Sequence, residues 1–238
     1  MPYKKLKDTW TIKEEYRNIT GQFDYPDNSL RKLKQENLKK LKYLYNQALQ
    51  ITNSEEKIEG NLYSCNSNLS SGIKLKRMAR VVSNPNIKSY LEIGVNAGHS
   101  LLNVLQNSHS IKKVLLFDIN NHKYVESAVK YITAEFPHID IKFIKGDSTK
   151  TIPNTNIDQT YDLIHIDGGH SFAVAYADIK NCKKFAHKNT LLIIDDCHYN
   201  KKESCLNGAV KKAMKDNIIN LLCCKRSKAE HIFAHYIL

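Results

Sequence analysis

The residues best suited to chemistry are carboxylates that close apolar runs. Asp167-Gly168-Gly169-His170 follows Leu163-Ile164-His165-Ile166, and Asp195-Asp196 follows Leu191-Leu192-Ile193-Ile194. Three acids at two adjacent strand ends repel one another unless something positive sits between them. Hard oxygen donors with open positions favour Mg²⁺ or Mn²⁺, which keep some waters and accept substrate oxygens. The competing use of these acids is to cap the following helix or to pair with lysines. His170, three residues past Asp167, has the side-chain type that takes up a proton near neutral pH, unless it caps the next helix. His198 also follows the acids, but no spacing directs it inward.

A second constellation lies upstream. The apolar run at Ser89–Ile93 leads into Glu92-x-Gly94-x-x-x-Gly98 and then into Leu101, Leu102, Val104 and Leu105. A strand that ends in glycines and restarts as a helix exposes backbone N–H groups to a ligand, with the positive end of the helix dipole behind them. That is the shape of a nucleotide site. The dinucleotide pattern G-x-G-x-x-G is absent, and Asn96 stands where a middle glycine often would. Asparagine tolerates left-handed backbone better than other non-glycine residues, so the turn stays feasible. The next strand ends at Asp118, twenty residues after Gly98. That separation brings a carboxylate round one βαβ unit to ribose hydroxyls. An ordinary tight turn with a strand-ending acid gives the same letters.

Alternating strands and helices must position these groups. Tyr124, Val125, Ala128, Val129, Ile132 and Phe136 form a helical stripe closed by Pro137. Ile139 to Ile144 alternates like a strand and runs into Gly146-Asp147-Ser148. After Tyr161–Asp167 comes a helix carrying Phe172, Ala175, Tyr176, Ile179, Cys182 and Phe185. The continuous run 191–194 suits a central parallel strand buried on both faces. A further helix over about 205–215 precedes β-like runs at 218–224 and 231–238. The alternation predicts an α/β fold with a Rossmann-like, mainly parallel seven-stranded sheet and helices on both faces. Ligands of such sheets bind beyond the carboxyl ends of the strands, and all the acids above converge there.

Leu91-Glu92-Ile93-Gly94, Gly98, Asp118, Gly146-Asp147-Ser148 and Tyr161 to His170 together resemble the class I S-adenosylmethionine-dependent methyltransferases. More narrowly, Ile166-Asp167-Gly168-Gly169-His170 with Ile194-Asp195-Asp196 resembles the metal-dependent sugar O-methyltransferases of macrolide pathways, and more distantly the catechol O-methyltransferases. The likeness spans roughly residues 72 to 200. It implies S-adenosyl-L-methionine held by Glu92, Gly94, Asn96, Ala97, Gly98, Asp118, Ile119, Asp147, Ser148 and Asp167, with Asp147 and Ser148 bordering the adenine. It implies Mg²⁺ (or Mn²⁺) on Asp167, Asp195 and Asp196. It further implies His170 as the base, with Asp167 its competitor, and an antiparallel last strand pair. The helix predicted at 73–82 would shape one wall of the cofactor site.

Composition bounds the rest. The 238 residues suit one α/β core with an appendage, which divides the chain into an N-terminal arm and helix, 1–72, and a catalytic domain, 73–238. Leucines 30, 33, 38, 41, 44 and 49 predict an amphipathic helix of roughly twenty residues, starting beside the possible caps Asp27 and Ser29. Such a helix packs on the core or on a homodimer mate, and the arm acts as a lid or an oligomerisation segment. The net charge is +12, carried by the flanks: 16 Lys+Arg against 9 Asp+Glu in residues 1–85, 8 against 9 in 86–174, and 12 against 6 in 175–238. The flanks lack the aromatic and arginine interleaving of nucleic-acid grooves, so RNA or protein methylation ranks behind a small hydroxylated acceptor. A non-catalytic binding subunit of the same fold is the remaining alternative. The six cysteines make no C-x-x-C pair and are read as reduced. With no apolar run of membrane-spanning length and no signal-peptide core, the expectation is a cytoplasmic protein with no membrane partner. The acceptor pocket falls to the arm and the loop 199–208, where Lys201 and Lys202 could meet a phosphate.

Overall fold

The computed structural model describes residues 33–53, 58, 70–197, 205–225 and 231–238. The aromatic arm, the linker around Cys65, and His198, Lys201 and Lys202 lie outside these residues. The described elements are α1 (Gln35–Ile51), α2 (Ser70–Val82), β1 (Ser89–Ile93), α3 (His99–Asn107), β2 (Lys113–Asp118), α4 (Val125–Glu135), β3 (Asp140–Lys145), α5 (Ser148–Asn154), β4 (Tyr161–Ile166), α6 (Phe172–Cys182), β5 (Ala186–Ile194), α7 (Cys205–Lys215), β6 (Ile219–Lys225) and β7 (His231–Tyr236). The strands form one seven-stranded sheet in the order β3-β2-β1-β4-β5-β7-β6. Only β7 runs antiparallel to its neighbours, inserted between β5 and β6. The expected Rossmann-like sheet and its antiparallel end are therefore present.

Period-two alternation sends the strand side chains to two different cores. Tyr90, Leu116, Leu163, Ile193 and Phe233 join the core under α1 to α4. Their neighbours Leu91, Leu115, Ile164, Leu192 and Ala234 join the core under α6 and α7. Apolar contacts on both faces explain why Leu191-Leu192-Ile193-Ile194 of β5 reads as an unbroken hydrophobic run.

The amphipathic helix starts at Gln35 with Lys34 at its cap position and no side-chain cap, and it buries Leu41, Leu44 and Ala48. It packs on α3, the helix that leaves the glycine turn. Two elements depart from the expectation. The strand β5 begins at Ala186, earlier than its apolar run, and its pairing with β4 slips between Tyr161 and Leu163. The short helix α5 was not anticipated, although Asp147 followed by Thr149 is an N-cap signal: the Asp147 carboxylate accepts the Thr149 N–H.

Candidate active site

The sheet register explains the site. Ile93 pairs with Ile166, Ile166 with Ile194, and Ile194 with Ile232. One residue further along, the ladder continues: Gly94 N–H donates to the Phe117 carbonyl at 2.8 Å, Asp167 N–H to Ile93 at 2.9 Å, and Asp195 N–H to Ile166 at 3.0 Å. Gly94, Asp167, Asp195 and His231 thus form one row across the carboxyl rim. Two residues back, on the same face, stand Glu92 and its register partner His165.

At the β1 to β2 end, the turn holds its own carboxylate. Val95 and Asn96 donate their N–H groups to Asp118 Oδ2 at 2.8 and 2.9 Å, and Asn120 donates to Oδ1 at 2.7 Å. Asn96 takes φ 48°, the left-handed conformation expected of it, and Gly94 and Gly98 take φ 87° and 75°. Gly94 has a second constraint, because a Cβ there would lie 2.0 Å from the Asp167 carbonyl oxygen. Ala97 is buried beside this turn, whereas Ile119 is 61% exposed just past Asp118. Asp147 and Ser148 lie at the start of α5. There Asp147 accepts from both Thr149 N–H at 3.0 Å and Thr149 Oγ1–H at 2.7 Å, and these bonds, the hydroxyl first, lower its pKa.

Glu92 is fully buried and turned into the sheet rather than into the rim. Ser100 donates to its Oε1, which also faces His165 Nδ1 at 3.3 Å. Burial opposes a charge on His165, but the bond to Glu92 and the charge of Glu92 outweigh it and raise its pKa. Tyr90 Oη completes this group, 3.1 Å from the same His165 nitrogen.

At the β4 to β5 end, acids and bases are sorted by face. Asp195 continues the ladder of β5, whereas Asp196 leaves it in left-handed backbone. Asp195 turns inward, with Oδ1 3.5 Å from His231 Nε2 and 2.6 Å from the Asp196 N–H. Asp196 takes φ 54° and stays at the rim. One of its oxygens lies 3.6 Å from His170 Nε2. Lys74, reaching down from α2, ion-pairs with both Asp195 and Asp196.

These neighbours set the charges. Burial pushes His231 down to about 4 despite the opposing charge of Asp195. Burial would raise Asp195 as well, but His231 and then Lys74 hold it below the usual carboxylate range. Asp167 goes the other way: desolvation, then the charge of Asp195, push its carboxyl well above that range. Burial also works against the Lys74 ammonium, yet Asp195 and Asp196 raise its pKa.

Two groups of possible ligand atoms result, each within 4.8 Å of one another: Asp167, His170 and Asp196 at the rim, and His165, Asp195 and His231 buried beneath it. Of the three acids expected to act together, Asp167 and Asp196 share the rim with His170, while Asp195 belongs to the buried histidine pair. His170 does not cap α6, because Ser171 accepts the Val174 N–H in that role. Lys74, His165 and His231 were not singled out from the sequence. Lys74 pairs across 122 positions, and no local pattern marks such a contact.

A family model described as a methyltransferase domain matches residues 91–197. That segment is a methyltransferase domain. The match begins in β1 and ends just past Asp196, so it contains both the glycine turn and the acid rim. Among solved structures, the S-adenosylhomocysteine-bound methyltransferase PaMTH1 of Podospora anserina is similar over 98% of this chain and 100% of that one, with a TM-score of 0.64 at 14% identity. The O-methyltransferase TomG of Streptomyces achromogenes, in complex with S-adenosylmethionine and involved in tomaymycin synthesis, aligns over 89% of this chain and 94% of its own at TM-score 0.62 and 12% identity. CalS11, a TDP-rhamnose 3′-O-methyltransferase of calicheamicin biosynthesis, aligns over 89% and 99% at TM-score 0.57 and 15% identity. A search of curated proteins gives no match. The sheet described above is thus that of class I, S-adenosylmethionine-dependent methyltransferases. Among the described residues, no helix is long and apolar enough to cross a membrane.

Proposed function

We propose that this methyltransferase transfers the methyl group of S-adenosyl-L-methionine to a hydroxyl of a small acceptor, most simply a sugar, in a reaction assisted by Mg²⁺ or Mn²⁺. The observation that carries this reading is the rim group of Asp167, His170 and Asp196, within 4.8 Å of one another. It lies against the cofactor turn at the Gly94 to Asp167 contact. Similarity to structures named as O-methyltransferases, one of them a TDP-rhamnose enzyme, supports the acceptor class.

In this reading the glycine turn and Asp118 bind the cofactor, and the exposed face of Ile119 covers its adenine. The donor already carries a positive leaving group, so the protein must supply an oriented, deprotonated oxygen. His170 takes the hydroxyl proton as that oxygen forms its bond to the methyl carbon. The carbon–sulfur bond breaks with its electron pair going to sulfur, leaving S-adenosylhomocysteine.

The donor set fits a divalent ion. Two carboxylates converge beside His170 with one acid desolvated, and Lys74 ion-pairs with Asp195 and Asp196. Asp167 and Asp196 would hold the ion, and it would supply a Lewis acid for the acceptor oxygens.

The test is the pair His170→Ala and Asp196→Ala, assayed with nucleotide-sugar and catechol panels alongside S-adenosylhomocysteine binding by calorimetry. Cofactor affinity is expected to hold in both. Turnover of His170→Ala should fall by roughly 10²–10⁴-fold, and Asp196→Ala should lose its response to added Mg²⁺. Normal turnover in both variants removes the mechanism. Absence of cofactor binding in the unmodified protein removes the whole reading.

A further inference from the structure

Lys74 is where the described acid rim already contains a cation. It sits in the first half of α2, and its side chain is only 17% exposed. Its place is fixed from two sides. One residue on, the Leu75 carbonyl accepts from Asn103 Nδ2 at 3.0 Å, which ties α2 to α3 and so to the glycine turn. At its tip, the ammonium meets Oδ1 of Asp195 and Oδ1 of Asp196. Asp195 Oδ1 is then shared by the Lys74 ammonium, the Asp196 N–H at 2.6 Å and His231 Nε2 at 3.5 Å. Asp196 has one oxygen on Lys74 and the other turned to His170.

We propose that Lys74 is a built-in counter-ion that competes with the divalent cation for Asp196. The inference rests on the divalent-ion reading of the rim. Adjacent carboxylates this close need a positive partner when the ion is absent, and the ammonium supplies it, so the rim stays assembled between turnovers. A divalent ion entering between Asp167 and Asp196 meets the like charge of the ammonium that already holds one Asp196 oxygen. Uptake of the ion therefore requires the ammonium to leave Asp196. Two consequences follow: Lys74 keeps ion affinity weak, and ion uptake loosens the tip of Lys74 from the rim.

Both consequences are measurable without turnover. Mn²⁺ binding to the full chain, followed by the free-ion electron paramagnetic resonance signal with S-adenosylhomocysteine present, should be at least tenfold tighter in Lys74→Met than in the unmodified protein. Lys74→Arg, which keeps the charge, should stay within about threefold of it. In the unmodified protein, acetic anhydride labelling of Lys74, read by peptide mass spectrometry, should rise severalfold as Mn²⁺ is added. That second measurement stands even if Lys74→Met does not fold. Equal or weaker Mn²⁺ binding by a folded Lys74→Met, no Mn²⁺ binding by either protein, or labelling that is unchanged or reduced by Mn²⁺ overturns the proposal. S-adenosylhomocysteine binding is scored in the same samples. Its loss points to failure of the methyltransferase reading, while its retention with no effect on Mn²⁺ points to failure of the Lys74 inference alone.

Discussion

The two ends of the rim hold their carboxylates by different means. At the β1 to β2 end, Asp118 is bound by three backbone N–H groups, all within 2.9 Å. At the β4 to β5 end, Asp195 and Asp196 are held by the side chains of Lys74, His231 and His170. Backbone dipoles cannot titrate or swing away, so the first end is a fixed cradle. Side chains can do both, so the second end responds to what binds there. On the proposed reading, the cofactor takes the first arrangement, and the acceptor with its ion takes the second.

The strongest way to break this division is at the residue where the two ends touch. Gly94→Ala combines a Cβ 2.0 Å from the Asp167 carbonyl with φ 87°, so strands β1 and β4 must part. We expect a loss of more than about 3 kcal/mol in urea unfolding, together with loss of S-adenosylhomocysteine binding by calorimetry. A variant that kept both would mean that the ends are mechanically independent.

A further substitution acts on one end alone. Asp118→Ala leaves the Val95, Asn96 and Asn120 N–H groups without their acceptor. With the turn no longer held and one charge-assisted acceptor removed, cofactor affinity should fall by roughly 10²-fold. Mn²⁺ affinity measured without cofactor should be unchanged, and a parallel fall in both would dissolve the distinction.

His99, the first residue of α3, reports on how α1 supports the cofactor end. Burial depresses its pKa from 6.5 to about 4, with the Leu41 backbone opposing the shift. Because the folded value lies below the unfolded one, the stabilisation is complete above pH 6.5 and is lost as pH falls through about 4. The unmodified protein should therefore lose about 3 kcal/mol more than His99→Gln between pH 7 and pH 4, read from urea midpoints at the two pH values. Equal losses would remove His99 as the titrating group.

What was legible in the sequence follows the same divide. The glycine turn, Asn96 and Asp118 are neighbours along the chain or one βαβ unit apart, so spacing alone found them and their left-handed backbone. A mainly parallel seven-stranded sheet followed from the alternation of elements, and its strand order is a finding of the structure. The acid end was legible in composition but not in partnership. Asp167, Asp195 and Asp196 were read as ligands of one ion; that a single ammonium bridges Asp195 and Asp196, and that Asp195 also faces His231, was not legible. Lys74 carried no local signal, since it is one of 36 Lys and Arg residues and its partners lie across the fold. Likewise, His231 meets Asp195 because β7 is inserted beside β5, a placement that no local pattern dictates.

The smallest expected effect concerns Asp147, where the two uses of one carboxylate can be separated. As the cap of α5 it accepts from Thr149, and one oxygen is committed to that role. Its other oxygen lies 3.6 Å from Lys150 Nζ in an exposed setting, where such a pair contributes little. That second oxygen is the one free to meet an adenine amino group. Serine also caps helices well, so Asp147→Ser should cost well under about 1 kcal/mol in stability. If the carboxylate meets the adenine, S-adenosylhomocysteine affinity should nonetheless fall by about tenfold, the worth of one charge-assisted hydrogen bond. If affinity is unchanged while Asp147→Ala loses about 1 kcal/mol of stability, the residue is a cap alone. The cofactor end would then be defined by β1 and β2 without help from β3.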